Sequence, residues 1–261
     1  MRWFARTEQL LGAEALAQLT QARVAVFGLG GVGSFAVEAL ARAGVGSLRL
    51  VDYDGTSATN INRQLLALHS TLGQPKVALA AARVLDINPE CRVDPRQVFI
   101  NAETVRGLLE PDVDVVVDAI DSLSSKVLLL EACVARGLPV ISSMGAGGRM
   151  DGAQVQCGDL DQTRICPLAR VLRQRLHRLG IRTGIRCVYS TEPARNTLPH
   201  DPGDVGEHHG AGRRRTPIGT ISYLPALFGL RVAQEVLDLL LTEAADAAGS
   251  PPGPPETPGC S

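Results

Sequence analysis

Short β-branched runs alternate with segments rich in alanine and leucine through the first half of the chain. In the longer segments, apolar residues recur three or four positions apart, which is the spacing of a helix with one buried face. The predicted strands are 24–27, 47–51, 92–98, 113–117 and 139–142, and the predicted helices are 34–43, 76–86, 102–109 and 124–135. This alternation predicts an α/β, doubly wound, Rossmann-like fold, in which helices cover both faces of a mostly parallel sheet.

The alternation changes after residue 142. An alternating run at 153–157 and a β-branched run at 186–190 predict two further strands. Helical spacing returns at 167–179 and at 224–241. We therefore expect a C-terminal extension at one edge of the same sheet.

Composition and charge exclude several classes of protein. Hydrophobic residues make up 45% of the 261 residues and aromatic residues only 3%, which argues against an aromatic platform for stacking bases. The formal net charge is -1, so contact with nucleic acid or an anionic membrane requires a local basic patch. No uncharged apolar stretch is long enough to predict a transmembrane segment.

The six cysteines bear on metal binding and on the cellular compartment. They form no C-x-x-C pair, so no structural zinc is expected, and a reduced, cytoplasmic protein is the simplest interpretation. Cys187 lies in an apolar run that predicts a strand. A buried structural thiol and a thiol that carries sulfur are the two interpretations of this residue, and the apolar surroundings favour the first.

A glycine-rich turn, GLGGVG, follows the first predicted strand and opens a predicted helix. Gly28, Gly30 and Gly33 permit a tight turn whose backbone N–H groups face phosphate oxygens. Asp52 ends the next predicted strand, where a carboxylate can accept hydrogen bonds from ribose hydroxyls. These features favour binding of NAD, FAD or ATP. The alternative is a turn needed only for helix packing.

Cations and acids further along the chain bear on which nucleotide is bound. Arg63 and Lys76 follow Asp52 near the same sheet edge, and two cations suit a triphosphate better than a dinucleotide. Asp118 and Asp121 lie at the carboxyl end of a later strand, where ligands bind in open α/β sheets. One such carboxylate can hold Mg²⁺ between phosphate oxygens, although Asp121 could instead cap the following helix.

Taken in order, GLGGVG, VDYD, NINRQ, GQPK and DAIDS resemble the signature series of the ubiquitin-activating-like adenylyltransferases, over about residues 6–147. The resemblance implies ATP- and Mg²⁺-dependent adenylation of a carboxylate by a homodimer, with Asp121 as the Mg²⁺ ligand. The implied catalytic residues are Arg63, Lys76 and Asp121, with Arg6 acting in trans on the ATP of the other subunit. The implied nucleotide-binding residues are Gly28, Gly30, Gly31, Gly33, Asp52, Asp54, Asn60, Arg63, Gln64, Lys76 and Asp118.

The second half resembles one branch of this superfamily, the tRNA threonylcarbamoyladenosine dehydratases. The segments that carry the resemblance are SSMGAGGRMDGAQVQCGDL, CVYSTEPAR and GTISYLPALFGLRVAQEVL. The implied reaction is ATP-dependent activation of the threonyl carboxylate of a modified adenosine next to the tRNA anticodon, followed by ring closure with net loss of water.

Two alternatives have other substrates or none. One is adenylation of the C-terminal Gly-Gly carboxylate of a small sulfur carrier protein, whose activators commonly contain two C-x-x-C pairs that are absent from this chain. The other is a nucleotide-binding scaffold without turnover, acting beside a cysteine desulfurase or sulfur acceptor system. A dehydrogenase is the weakest interpretation, because the cations suit a triphosphate.

Charge placement is the independent argument for tRNA. Residues 162–191 contain no acidic residue, and the predicted helix within them carries Arg170, Arg173 and Arg178. Guanidinium groups along one helix face suit contacts with nucleic-acid phosphates. The alternative is a solvated helix face in a chain that is rich in arginine throughout.

The resemblance also predicts how the chain is organised. We expect one adenylation domain at 1–243, with a nucleotide-binding half at 1–147 and a half facing substrate and tRNA at 148–243. Within the second half, residues 193–216 are rich in Pro, Gly, His and Arg and predict a mobile surface loop. The proline-rich residues 244–261 predict a disordered tail.

Overall fold

A seven-stranded sheet forms the centre of the computed structural model, which describes residues 2–110, 113–195 and 218–247. The strands are β1 (Arg23–Phe27), β2 (Ser47–Asp52), β3 (Arg92–Gln97), β4 (Val115–Asp118), β5 (Val140–Ser143), β6 (Val155–Asp159) and β7 (Arg186–Ser190). Their spatial order is β3-β2-β1-β4-β5-β7-β6. All neighbouring pairs are parallel except β6 and β7, which pair antiparallel at one edge. The predicted fold class and its edge extension are confirmed.

Helices cover both faces of this sheet. They are α1 (Ala5–Leu11), α2 (Ala13–Gln21), α3 (Gly33–Ala43), α4 (Lys76–Ile87), α5 (Val105–Leu108), α6 (Leu123–Ala135), α7 (Pro167–Arg178) and α8 (Tyr223–Ala247). Helices α3, α4 and α8 contribute to one hydrophobic core, and α5, α6 and α7 contribute to the other. Residues of β1 alternate between the two: Val24 and Val26 face the first core, and Ala25 and Phe27 face the second. Because both faces are covered, the carboxyl ends of the strands remain for ligands.

Two of the differences from the predicted bounds have a local reason. The helix predicted at 102–109 shortens to α5, because the Asn101 side chain accepts hydrogen bonds from the N–H groups of Glu103 and Thr104 and forms a turn there. The strand predicted at 153–157 begins two residues later, since Asp151 binds the Ala153 N–H and starts a short 3-10 turn. Helices α1 and α2 were not predicted.

The C-terminal helix is longer than its apolar pattern. Helix α8 continues to Ala247, beyond residue 244 where the tail is predicted to begin. The rest of that tail, and nearly all of the loop predicted at 193–216, lie outside the described residues. Among the described residues, no helix is both long and apolar enough to cross a membrane.

Candidate nucleotide-binding site

The glycine-rich turn joins β1 to α3 at the carboxyl end of the sheet. Gly28 has a φ of 88°, and a Cβ there would lie 2.7 Å from the carbonyl oxygen of Ala119. A Cβ at Gly33 would collide with the carbonyl of Gly28, so both glycines are required by packing. Gly30 is different, because its Cβ would meet only the Gln64 side chain, at 3.7 Å. Packing therefore explains Gly28 and Gly33, whereas Gly30 borders space that a ligand can enter.

Gly31 and Asp52 fix the position of this turn. A Cβ on Gly31 would lie 3.0 Å from Cβ of Pro225 in α8 and 3.2 Å from the carbonyl of Arg63. The Asp52 carboxylate accepts hydrogen bonds from the N–H of Leu29 at 2.6 Å and from the N–H of Asp54 at 2.8 Å. Burial raises the pKa of Asp52, and the charge of Lys76 opposes this rise. The acid thus anchors the turn from the end of β2.

Lys76 is a buried cation at the start of α4. Its Nζ lies 3.2 Å from Oδ2 of Asp54, and only 6% of its side chain is exposed, compared with 32% of the Asp54 side chain. The Lys76 N–H also donates to the Asp54 carbonyl, which fixes the helix start. A buried ammonium beside a glycine turn, with one partly exposed carboxylate as its partner, is suited to binding phosphate.

The segment NINRQ places an arginine and an amide beside the turn. Asn60 supports the segment, because its side chain accepts from the Ser57 N–H and its carbonyl accepts from the Gln64 N–H. Burial lowers the pKa of Arg63, and the charge of Asp121 opposes this effect. Gln64 is 8% exposed, and its Oε1 has no hydrogen-bond partner among the described residues. Because buried carbonyl oxygens are nearly always paired, this atom fits a ligand contact.

The two acids at the carboxyl end of β4 occupy different environments. Asp118 is fully buried and accepts hydrogen bonds from Lys126, Ser142 and the N–H of Ile120, so it faces the interior. Asp121 is exposed and is electrostatically coupled to Arg63. The cap residue of α6 is Ser122, whose side chain makes no capping hydrogen bond, so Asp121 is not the helix cap.

The predicted set therefore separates into three groups. The glycine turn, Asp52, Lys76 and the Asn60–Gln64 segment come together at the carboxyl ends of β1 and β2, with Asp121 next to Arg63. Asp118 lies beneath them in the core. Arg6 is exposed on α1, where it donates to the Gln9 side chain at 3.1 Å.

The described part of the site includes no preformed metal cluster. Among the described residues there is no group of three or more His, Cys, Asp or Glu side chains that could hold a metal ion. Mg²⁺ in nucleotide sites is commonly bound by one or two carboxylates together with substrate phosphates. Asp121, exposed beside Arg63, fits that mode.

The arginines of α7 do not share one environment. Arg170 and Arg178 are exposed. Arg173 is half-buried, and its Nη1 donates to the Thr163 carbonyl at 2.6 Å and to the Leu160 carbonyl at 3.3 Å. Arg173 therefore holds the turn before α7, which helical spacing alone could not indicate.

Charged residues outside the predicted set support the loops that follow β5 and β7, which we call the acceptor side after the substrate-facing half that the resemblance predicts. The Arg149 guanidinium is 3% exposed and donates to carbonyls of both loops, at Gly147 (3.1 Å) and Glu192 (2.8 Å). The Glu192 carboxylate accepts from the N–H groups of Met150 and Asp151, each at 2.8 Å. The buried Lys126 of α6 is another charged residue outside the predicted set. A lysine within an apolar run of a predicted helix could have indicated that it is buried and paired with an acid.

Gly148 connects three parts of the acceptor side. It has a φ of 72°, its N–H donates to the Gly219 carbonyl at 2.7 Å, and its carbonyl accepts from the Arg195 N–H at 2.8 Å. The Tyr223 hydroxyl donates to the Met150 carbonyl at 2.8 Å. The start of α8 is thereby joined to the loop after β5.

Cys187 lies in the core of the sheet. It is fully buried in β7, and burial raises the pKa of its thiol. Reactive cysteines instead have a lowered pKa and partial exposure. This environment supports the structural interpretation of the thiol.

An open α/β sheet with a glycine turn, a buried lysine and an arginine beside an exposed aspartate at its carboxyl end defines a nucleotide-binding protein of the doubly wound class. The chain belongs to the ThiF family, whose model matches residues 4–251. This confirms the superfamily to which the sequence motifs pointed.

Similarity to individual relatives extends along nearly the whole chain. The tRNA threonylcarbamoyladenosine dehydratase of Bacillus subtilis (strain 168) is 41% identical over 239 residues, a match that covers 91% of this chain and 94% of the relative. The crystal structure of the E. coli tRNA N6-threonylcarbamoyladenosine dehydratase in complex with ATP is 34% identical, with a TM-score of 0.83. The structure with AMP is 35% identical, with a TM-score of 0.84. Each alignment covers 94% of this chain and 96% of that one.

Proposed function

We propose that this protein is an ATP-dependent tRNA threonylcarbamoyladenosine dehydratase, which activates the threonyl carboxylate of the modified adenosine and promotes ring closure. The observation that carries the proposal is the end-to-end similarity to dehydratases, one of which is known in complex with ATP and with AMP. It is supported by the grouping of Arg63, Lys76 and Asp121 around the glycine turn.

The reaction requires a better leaving group on the carboxylate. In the first step a carboxylate oxygen attacks the α-phosphorus of ATP, an acyl–AMP bond forms, and pyrophosphate leaves. In the second step the carbamoyl oxygen of the same base attacks the acyl carbon, a proton is lost, and AMP leaves with the carboxylate oxygen. The tRNA therefore loses one water, and ATP becomes AMP and pyrophosphate.

The protein binds and orients the two substrates and neutralises the charge of the phosphates. Arg63 and Lys76 stabilise the negative charge that develops on the phosphates, and the glycine turn donates backbone N–H groups to them. Asp52 also accepts hydrogen bonds from the ribose, as the resemblance implies, and the Gln64 Oε1, which has no partner among the described residues, contacts the ligand. Mg²⁺ held by Asp121 would neutralise phosphate charge when bound. Asp118, whose carboxylate is occupied by Lys126 and Ser142, supports the site from below.

Two partner surfaces belong to the proposal. The exposed arginines of α7, Arg170 and Arg178, contact tRNA phosphates. In a homodimer, Arg6 reaches the ATP of the other subunit. Mixing an Arg6→Ala subunit with an inactive Lys76→Met subunit tests this arrangement, because activity returns only if the two residues act on one site from different chains.

The deciding experiment uses tRNA that carries threonylcarbamoyladenosine. The tRNA is incubated with the protein and Mg-ATP, digested to nucleosides, and the modified nucleoside is weighed by mass spectrometry. We expect loss of one water that depends on ATP. Asp121→Asn provides the matched control, with turnover abolished and the melting temperature retained. Unchanged nucleoside mass with intact ATP binding would contradict the proposal and favour a protein carboxylate as the substrate.

A further inference from the structure

Arg63 is held by its neighbour in the sequence. Its Nη1 donates to Oδ1 of Asn62 at 3.0 Å and to the carbonyl of Thr59 at 2.8 Å. Its Nε and Nη2 make no hydrogen bond to another described residue, and Asp121 is its electrostatic partner. One nitrogen of the guanidinium is therefore used to orient the group, and two remain for an anion.

The other end of the Asn62 amide contacts a distant part of the chain. Its Nδ2 donates to the backbone carbonyl of Thr220 at 2.9 Å, across 158 positions of sequence. Thr220 follows Gly219, whose carbonyl accepts from the N–H of Gly148 on the acceptor side. The phosphate side of the site comprises the glycine turn, Arg63 and Lys76. The Asn62 amide links this side to Thr220, which adjoins the backbone that is hydrogen-bonded to the loop after β5.

This contact uses both ends of the Asn62 amide. The guanidinium needs an acceptor and the Thr220 carbonyl needs a donor, and a carboxylate or an aliphatic side chain supplies at most one of them. Asn62 is exposed, so packing does not explain the residue. Exposed hydrogen bonds contribute little to folding stability. The main effect of the Asn62 side chain is therefore to orient the Arg63 guanidinium.

We propose that Asn62 is a positioning residue, which fixes Arg63 relative to the backbone at residues 218–220 and so aligns the phosphate side with the acceptor side. The proposal deepens the proposed function and rests on it for the identity of the acceptor. Its effect on ATP binding is measurable without any acceptor.

The test compares Asn62→Ala and Asn62→Asp with the wild-type protein, in the presence and absence of Arg63→Lys. The Kd for ATP is measured by calorimetry, kcat and KM with modified tRNA, and folding by the melting temperature. We expect Asn62→Ala to weaken ATP binding and to lower kcat, each about tenfold, since one hydrogen bond to a charged group is removed. Asn62→Asp weakens ATP binding further, because its carboxylate competes with phosphate for Arg63. The melting temperature and the KM for tRNA stay unchanged.

Two comparisons separate positioning from a general structural effect. In the Arg63→Lys background, Asn62→Ala causes little further loss of ATP affinity or kcat, since Asn62 acts by orienting Arg63. Gln74→Ala is the matched control, because it removes another exposed amide from the segment that joins β2 to α4. The Nε2 of this amide donates to the Ser70 carbonyl at 3.0 Å. This variant binds ATP like the wild-type protein.

The proposal is overturned if Asn62→Ala binds ATP and turns over like the wild-type protein. It is also overturned if Asn62→Ala reduces ATP affinity by the same factor with and without Arg63→Lys, or if the reduction accompanies a lowered melting temperature. If wild-type protein leaves the modified nucleoside unchanged, the proposed function fails, and the ATP-binding cycle still decides the role of Asn62. If dehydration proceeds without coupling between Asn62 and Arg63, only the positioning proposal fails.

Discussion

Asp118 and Lys126 form an ion pair in which neither side chain is exposed, with 2.7 Å between Oδ2 and Nζ. Ser142 donates to the same carboxylate oxygen at 2.7 Å, and the N–H of Ile120 donates to the other at 3.2 Å. The pair joins the end of β4 to α6 on either side of Asp121. The position of the exposed acid therefore depends on a buried charge network.

Removing one member of this pair should destabilise the fold. Lys126→Met leaves the Asp118 carboxylate buried without its counter-ion, so we expect the free energy of unfolding to fall by about 3–5 kcal/mol. Urea denaturation measures the change. Asp118→Asn combined with Lys126→Met removes both charges and should recover much of the loss. A single Lys126→Met variant as stable as the wild-type protein would contradict this interpretation of the network.

Two glycines of the nucleotide turn should respond differently to alanine. At Gly30 a Cβ has room, so Gly30→Ala should keep its melting temperature and lose about tenfold or more in ATP affinity as the methyl group occupies ligand space. Gly33→Ala should destabilise the protein by about 1–3 kcal/mol, because the methyl group collides with the Gly28 carbonyl. Calorimetry and thermal unfolding on both variants test the distinction, and equal behaviour of the two would refute it.

The arginines of α7 should divide into two classes. Replacing Arg170 and Arg178 with alanine should weaken tRNA binding and reduce the slope of its salt dependence by roughly one unit for each phosphate that is no longer neutralised. Arg173→Ala should instead reduce stability by about 1.5–3 kcal/mol, since it removes hydrogen bonds from a charged group to the Thr163 and Leu160 carbonyls. Binding titrations at several salt concentrations check the first outcome. An unchanged salt slope would place the tRNA elsewhere on the protein.

Alkylation of Cys157 should depend on Glu235. Burial, together with the hydrogen bond and charge of Glu235, raises the pKa of the Cys157 thiol to about 12. The thiol therefore stays protonated, and slow to react with iodoacetamide, until the pH approaches that value. Glu235→Gln leaves Arg186 and Arg231, whose charges lower the pKa, so the thiolate forms at lower pH and alkylation becomes faster.

Peptide mass spectrometry across a pH series measures this change, and a second thiol provides the internal control. Burial raises the pKa of Cys91 to about 11, and Glu235 is not among the groups that act on it. Its alkylation rate should be the same in both proteins. Equal acceleration at Cys91 and Cys157 would indicate unfolding and not a local electrostatic effect.

The sequence predicted those features that follow from periodicity and from the topology of parallel sheets. Strands buried on both faces give continuous apolar runs, and the carboxyl ends of such strands bring Asp52, Lys76 and Asp121 to one edge. Helix α1 buries no residue and so carries no apolar stripe by which to predict it. The inward orientation of Asp118 and Arg173 depends on partners outside their own strand or helix, Ser142 and Thr163, which spacing along one helix or strand does not indicate.

Gly148 meets the chain on both sides of the stretch between residues 195 and 219, through the Arg195 N–H and the Gly219 carbonyl. These are main-chain hydrogen bonds, so they do not depend on which side chains lie between the two ends. Because the entropic cost of closing a segment between two fixed ends grows only slowly with its length, we expect insertions and deletions between residues 196 and 217 to change stability little. The two ends stay anchored to Gly148 while the sequence between them changes, and Arg63 and Asp121 keep their positions.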